Sequence, residues 1–121
     1  MDTFLITCEH GGNRIPAPYR QLFRGQRALL DSHRGYDPGS LVVSKALASA
    51  FAAPLVASTV SRLLIDLNRS IGHPQLFSAV TRAAPAQTRA QIVEQHYRPY
   101  RMQVERLIGQ AVARGHRVIH I

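Results

Sequence analysis

The sequence predicts a single α/β domain built on a mixed, mostly parallel sheet flanked by helices. Three observations lead to that class. Short β-prone apolar runs alternate with segments of helical period. The order reads strand, short helices, strand, strand, long helix, strand. Three polar islands stand where apolar runs stop: Cys8-Glu9-His10-Gly11-Gly12-Asn13, Ser32-His33-Arg34-Gly35-Tyr36-Asp37 and Arg62-Leu63-Leu64-Ile65-Asp66-Leu67-Asn68-Arg69-Ser70. In an open α/β sheet such islands converge at the carboxyl ends of the strands, where ligands bind.

The first strand is read in Thr3-Phe4-Leu5-Ile6-Thr7-Cys8, which is β-branched, aromatic and closed by a glycine turn. Pro16 and Pro18 keep the next stretch extended or turning. Tyr19 to Phe23 and Gln26 to Ser32 read as short helical turns separated by Gly25. Asp37-Pro38-Gly39-Ser40 opens a helix, with Asp37 as N-cap, Pro38 at the first helical position and an apolar face of Leu41, Val42, Ala46, Leu47, Ala50 and Phe51. Pro54 ends it. Leu55 to Val60 and Arg62 to Leu67 read as strands, and Ile71 to Ala86 as loop. A long amphipathic helix follows from Gln87 to Arg114, with apolar positions that include Ile92, Val93, Tyr97, Tyr100, Val104, Leu107, Ile108, Ala111 and Val112. Pro99 should kink or split it. Gly115 closes it, and Arg117-Val118-Ile119-His120-Ile121 reads as a further strand of buried type, which predicts a truncated sheet.

With 121 residues, 45% hydrophobic and 18% charged, the chain suits one soluble domain with a modest core. No stretch approaches the roughly 20 consecutive apolar residues of a membrane span. The segment before Cys8 lacks the basic start and the length of a signal peptide, so the expected location is the cytoplasm, with no membrane partner. The single cysteine permits no internal disulfide. The net charge of +8 raises nucleic acid or a small anion as partner. The arginines are scattered, with no basic run and no interleaved aromatics, which disfavours nucleic acid.

Each island admits two readings. Cys8 fits a buried core thiol, with nucleophile or ligand as the alternative. His10 follows a strand and precedes two glycines, as a metal ligand needing close approach would, or as a surface turn histidine would. His33 and Asp37 are four apart and can share a face; Asp37 can be a carboxylate ligand, a helix cap, or both. Arg69 can bind a carboxylate with its planar fork, Asn68 can add an amide donor and Asp66 can hold the fork; a structural ion pair is the alternative.

Taken together, the segments Thr7 to Pro16, Ser32 to Gly39 and Ser61 to Ser70, with His73-Pro74, Phe77-Ser78, Tyr97-Arg98-Pro99-Tyr100-Arg101 and Val118-Ile119-His120-Ile121, resemble the N-formylglutamate amidohydrolase family in order and spacing. The resemblance spans essentially the whole chain. It implies a zinc-exopeptidase-like (phosphorylase/hydrolase-like) fold, similar to zinc carboxypeptidases and aspartoacylases. Family members are about twice this long, so residues 1–121 are expected to form a single N-terminal portion of such a domain.

The implied reaction is Zn2+-dependent hydrolysis of the amide of a small N-acyl, in particular N-formyl, acidic amino acid. By analogy with the Asp-Leu-Asn-Arg string of aspartoacylase-like enzymes, Asn68 and Arg69 are the expected substrate anchors, with Arg62 as a third. His10 matches the family's first histidine. Asn13 stands where the carboxypeptidase-like His-x-x-Glu pattern has its glutamate, so Asp37 replaces it as the expected ligand. The third ligand is expected beyond Ile121, with His120 as the alternative. Glu9 is the carboxylate beside His10 that could act as general base; the resembling families take theirs from the C-terminal half. The alternative function is a non-catalytic anion-binding or interaction module that keeps the fold. A truncated sheet edge also predicts self-association.

Overall fold

The computed structural model describes residues 1–121. Thr3, Phe4, Ile6 and Thr7 are the aromatic and β-branched residues that fit a pleated surface, and they lie in the central strand β1 (Asp2–Cys8). It pairs in parallel with β2 (Leu55–Ala57) on one side and β3 (Arg117–His120) on the other, in the order β2-β1-β3. Ile6 stands beside Leu55 and Phe4 beside Ile119. Leu5, Ile6 and Cys8 are all buried, as expected of a central parallel strand covered on both faces.

Five α-helices surround this sheet: α1 (Arg27–Leu30), α2 (Ser40–Ala50), α3 (Ala79–Arg82), α4 (Ala86–Ile92) and α5 (Arg98–Ala113). A 3-10 helix over Ala17–Phe23 precedes α1 and buries Tyr19 and Phe23. Helix α2 packs on β1 and β2, while α5 packs on all three strands. The core joins Leu5 and Val56 of the sheet to Ile92, Tyr97 and Tyr100 of the long helix, with Leu64 and Ile65 between them.

Four expectations need correction. The sheet is wholly parallel rather than mixed, because Arg62–Leu67 is not a strand. Leu63, Leu64, Ile65 and Leu67 are all buried, so no polar face alternates with the apolar one; the backbone closes on itself through Leu64 N–H to Ser61 O and Arg69 N–H to Asp66 O. An apolar run covered on every side fits a packed turn as well as a strand. The strand read over Leu55–Val60 shortens to Leu55–Ala57, and Val60 makes only an isolated parallel bridge to Arg14. Asp37 does not cap α2: the residue before the helix is Gly39, at φ 84°, and no side chain caps its amides. The expected apolar face of α2 is half-covered at Leu41 and Leu47 and exposed at Val42, Ala46 and Ala50, while Ser44 is its buried residue. Phe51 stacks on Phe4 with ring centroids 4.6 Å apart.

The long helix runs from Ala86 to Ala113 with its irregularity in a five-residue π-turn, Val93–Tyr97, where Arg98 N–H donates to Val93 O. Pro99 follows one residue later, after Arg98. Its ring and missing N–H would break a regular α-helix, and the widened turn takes the disruption without ending the helix. Val112, expected on the apolar face, is exposed. No helix is long and apolar enough to cross a membrane.

Asp2 and Arg117 stand opposite each other in the β1–β3 register and form a two-pronged ion pair at 3.0 and 2.9 Å. Hydrogen bonding from Arg117 holds the Asp2 carboxyl below its ordinary value. A folded pKa below the unfolded one means the pair's contribution is present above about pH 3.9 and is lost as pH falls through the folded value. Arg117→Gln is expected to return Asp2 to the ordinary carboxylate range in an NMR titration; an unmoved Asp2 midpoint would show that the pair does not form in solution.

Candidate functional site

Beyond β1 the chain lies flat against residues 58–60. Gly11 N–H donates to Ser58 O at 3.0 Å and Arg14 N–H to Thr59 O at 2.9 Å. A Cβ on Gly12 would stand 2.6 Å from Thr59 O, so only glycine permits this approach. His10 is thereby fixed at the carboxyl end of β1. Its carbonyl accepts from Asp37 N–H at 2.9 Å, which ties the second island to the first. The third joins through Gly35, whose carbonyl accepts the Ser61 hydroxyl at 2.8 Å and Arg62 N–H at 3.2 Å. All three islands meet, as the sequence predicts.

At their junction the His10 ring is held between two carboxylates. Nε2 lies 2.7 Å from Asp66 Oδ1, and Nδ1 lies 3.4 Å from Asp37 Oδ2. The first distance is a charge-assisted hydrogen bond. It assigns the Nε2 proton toward Asp66 and leaves Nδ1 facing a second acceptor. Asp66 also accepts Asn68 N–H at 2.9 Å on the same oxygen, while its other oxygen faces Arg69 Nε at 3.7 Å. Burial alone raises the pKa of Asp66, but the hydrogen bonds from His10 and Asn68, with the charges of His10 and Arg69, outweigh it and hold the carboxyl below its ordinary value. A single buried carboxylate thus holds the His10 ring and the Asn68 backbone, with the Arg69 guanidinium beside it. Arg62 donates to Asp37 Oδ1, and its own Nε–H is buried without a partner. A cleft of about 250 Å³ opens beside this constellation, lined by Glu9, His10, Asp37 and Asn68 among others.

Residues 2–121 match the family model described as N-formylglutamate amidohydrolase. The chain belongs to the N-formylglutamate amidohydrolase family. A crystal structure of a gene product from Agrobacterium tumefaciens is similar, at 29% identity and a TM-score of 0.87 over 97% of this chain and 49% of that one. The chain therefore spans about half the length of that protein. No curated protein gives a significant match.

Within this member of the N-formylglutamate amidohydrolase family, the expected site residues fall into two groups. His10, Asp37, Arg62, Asn68 and Arg69 are brought together around Asp66. His120 stands apart in β3, with Nε2 2.8 Å from the Thr7 hydroxyl, and no group of three or more His, Cys, Asp or Glu side chains is arranged to hold a metal. Glu9 lines the cleft, but its carboxylate accepts from the Thr7 hydroxyl at 3.1 Å. Asn13 turns away, donating to Leu30 O and Asp31 Oδ1 at 3.1 and 2.9 Å. His33 is exposed. Cys8 is buried, with Sγ 3.5 Å from the Ser40 hydroxyl.

Sequence reasoning misses the contact of Asp66 with His10. The available signal is a carboxylate ending a run of buried residues, which needs donors on both oxygens.

Proposed function

We propose that this chain supplies the substrate anchors and two metal ligands of a zinc-dependent amidohydrolase acting on an N-acyl, in particular N-formyl, acidic amino acid. The observation that supports it best is the 3.4 Å gap between His10 Nδ1 and Asp37 Oδ2. That gap is long for a charge-assisted hydrogen bond, but two donors each about 2.0–2.1 Å from a tetrahedral zinc lie about 3.3 Å apart. A metal-ligating histidine commonly donates its other ring N–H to a carboxylate, the relation Asp66 has to His10. The donor set therefore fits a shared cation at two positions. Catalytic zinc usually has three protein ligands, and the third is assigned to chain outside these residues, in keeping with the 49% coverage of the Agrobacterium protein.

Bound zinc would supply a Lewis acid and a water of lowered pKa. Every other part belongs to the chain. Asp66 fixes the His10 tautomer, so that Nδ1 presents its lone pair. Arg69, 43% exposed at its side chain, offers its terminal nitrogens to a carboxylate, and the Asn68 amide borders the cleft beside it. Anchoring the acid end of the substrate there would orient its amide toward His10 and Asp37. Arg62, paired with Asp37, would serve as a third anchor. Glu9 is the candidate base among these residues, although its bond to Thr7 favours a base from a longer chain. The site stands at the carboxyl end of the central parallel strand, where open α/β sheets bind ligands, and a zinc-exopeptidase-like architecture would use the same end.

Elemental analysis of the purified protein beside His10→Ala and Asp37→Ala tests the assignment. Near-stoichiometric zinc that disappears in both variants is expected. Zinc retained in both, or never present, would reject these ligands. Zinc bound without release of formate from N-formyl-L-glutamate would favour the non-catalytic anion-binding module for this chain.

A further inference from the structure

On the wall formed by the loop after Gly12, the 3-10 helix and α1, a second cavity of about 450 Å³ shares no residue with the cleft at His10. Its size is ordinary for a small-molecule site. Part of its lining is apolar: Ile15, Phe23 and Leu30 are each 5–8% exposed and face it beside polar neighbours. Arg14, Arg20 and Arg27 also line it.

The three cations are not equivalent. Arg27 is committed to Asp31, through Nε at 3.1 Å and a terminal nitrogen at 2.6 Å. Arg14 and Arg20 have no carboxylate partner. Each uses only Nε within the protein, toward the Thr59 hydroxyl and Ile15 O respectively, both at 3.4 Å. Both terminal nitrogens of each guanidinium are left for a ligand, in the fork geometry that suits a carboxylate.

We propose that this cavity is a binding site for a small amphipathic carboxylate, its head held by Arg14 and Arg20 and its apolar body laid on Ile15, Phe23 and Leu30. The two free guanidiniums alone would also accept a phosphate dianion; the apolar lining beside them is what favours a carboxylate carrying an apolar body. The buried floor distinguishes the site from a merely basic surface patch, where binding would follow charge alone.

Titration calorimetry with benzoate, its neutral analogue benzamide and inorganic phosphate tests this. Benzoate is expected to bind at least about tenfold more tightly than either comparator, since each loses one half of the recognition. Arg14→Gln and Arg20→Gln, both at exposed positions that should fold normally, are each expected to weaken benzoate by about tenfold. Arg69→Ala should leave it unchanged, which separates this cavity from the anchor at the proposed active site. Benzoate binding that is absent, insensitive to both glutamine variants, matched by phosphate, or lost in Arg69→Ala would overturn the proposal.

Discussion

Gly35→Ala is expected to destabilise the protein by about 3 kcal/mol or more, the upper end of overpacking costs, lowering the thermal midpoint by about 10 °C or preventing folding. A Cβ at this position would stand 2.1 Å from Leu30 O, 2.7 Å from Leu30 C and 2.9 Å from Leu30 Cα, all backbone atoms that cannot rotate aside. The loop cannot slide away either. Gly35 N–H is bonded to Ser32 O at 2.9 Å, and its carbonyl holds Ser61 and Arg62. Relief would have to come from moving α1 or from releasing the third island, and the second route separates Arg62 from Asp37. Gly109→Ala is the informative companion. That glycine lies inside α5, and a methyl group there would meet nothing within 4 Å, so the change should stabilise by about 0.5–1 kcal/mol through helix propensity. Urea unfolding of both variants reads the contrast, and similar midpoints would contradict the close approach at Gly35.

With zinc held at His10 and Asp37 as proposed, Asp66→Ala is expected to lower zinc affinity about 10- to 100-fold, and in any case stability by about 3 kcal/mol. The affinity loss follows from freeing the His10 ring to rotate and to change tautomer. The stability loss follows from leaving His10 Nε2 and Asn68 N–H without their shared acceptor, in a side-chain environment only 12–13% exposed. Asp66→Asn is the sharper variant, because its amide keeps the shape and one oxygen that can still accept from both His10 and Asn68, but removes the negative charge that raises the basicity of His10 and turns an N–H group toward Arg69. Chelator competition should show the affinity loss in Asp66→Asn with a smaller loss of stability. Unchanged zinc affinity in Asp66→Asn, with affinity lost in His10→Ala, would mean that Asp66 is structural only.

Much of the fold and site is legible in the residues, for identifiable reasons. Thr3 to Cys8 has one composition suited to one environment, and it forms the central strand. The three islands do converge, although only the first ends a strand; the second is tied to it by Asp37 N–H to His10 O and the third through the Gly35 carbonyl. Arg62–Leu67 reads wrongly as a strand because a run buried on all sides has no period to distinguish a strand from a packed turn, and the contacts that decide it, such as Asp66 N–H to Leu76 O, come from distant chain. The cap assigned to Asp37 fails for a related reason. Local propensity cannot register that Arg62, 25 residues on, takes one of its oxygens, or that His10 faces the other. The role of Asp66 toward His10 crosses 56 residues and is visible only in three dimensions.

The π-turn at Val93–Tyr97 has a consequence for chain length. It accommodates one residue more than an α-turn, so it behaves as a single-residue insertion absorbed without a loop. Two phenols depend on that extra residue: Tyr97 donates to Arg69 O at 2.7 Å and Tyr100 to Val56 O at 3.2 Å, one holding the loop that carries Arg69 and the other the edge of the sheet. Ile92, on the other side of the turn, is fully buried in the same core. Deleting one residue between them would restore a regular helix and rotate the flanking halves by about 100° relative to each other. Either Ile92 or the pair of phenols would then face solvent. The segment is therefore a length gauge, intolerant of a change in residue number.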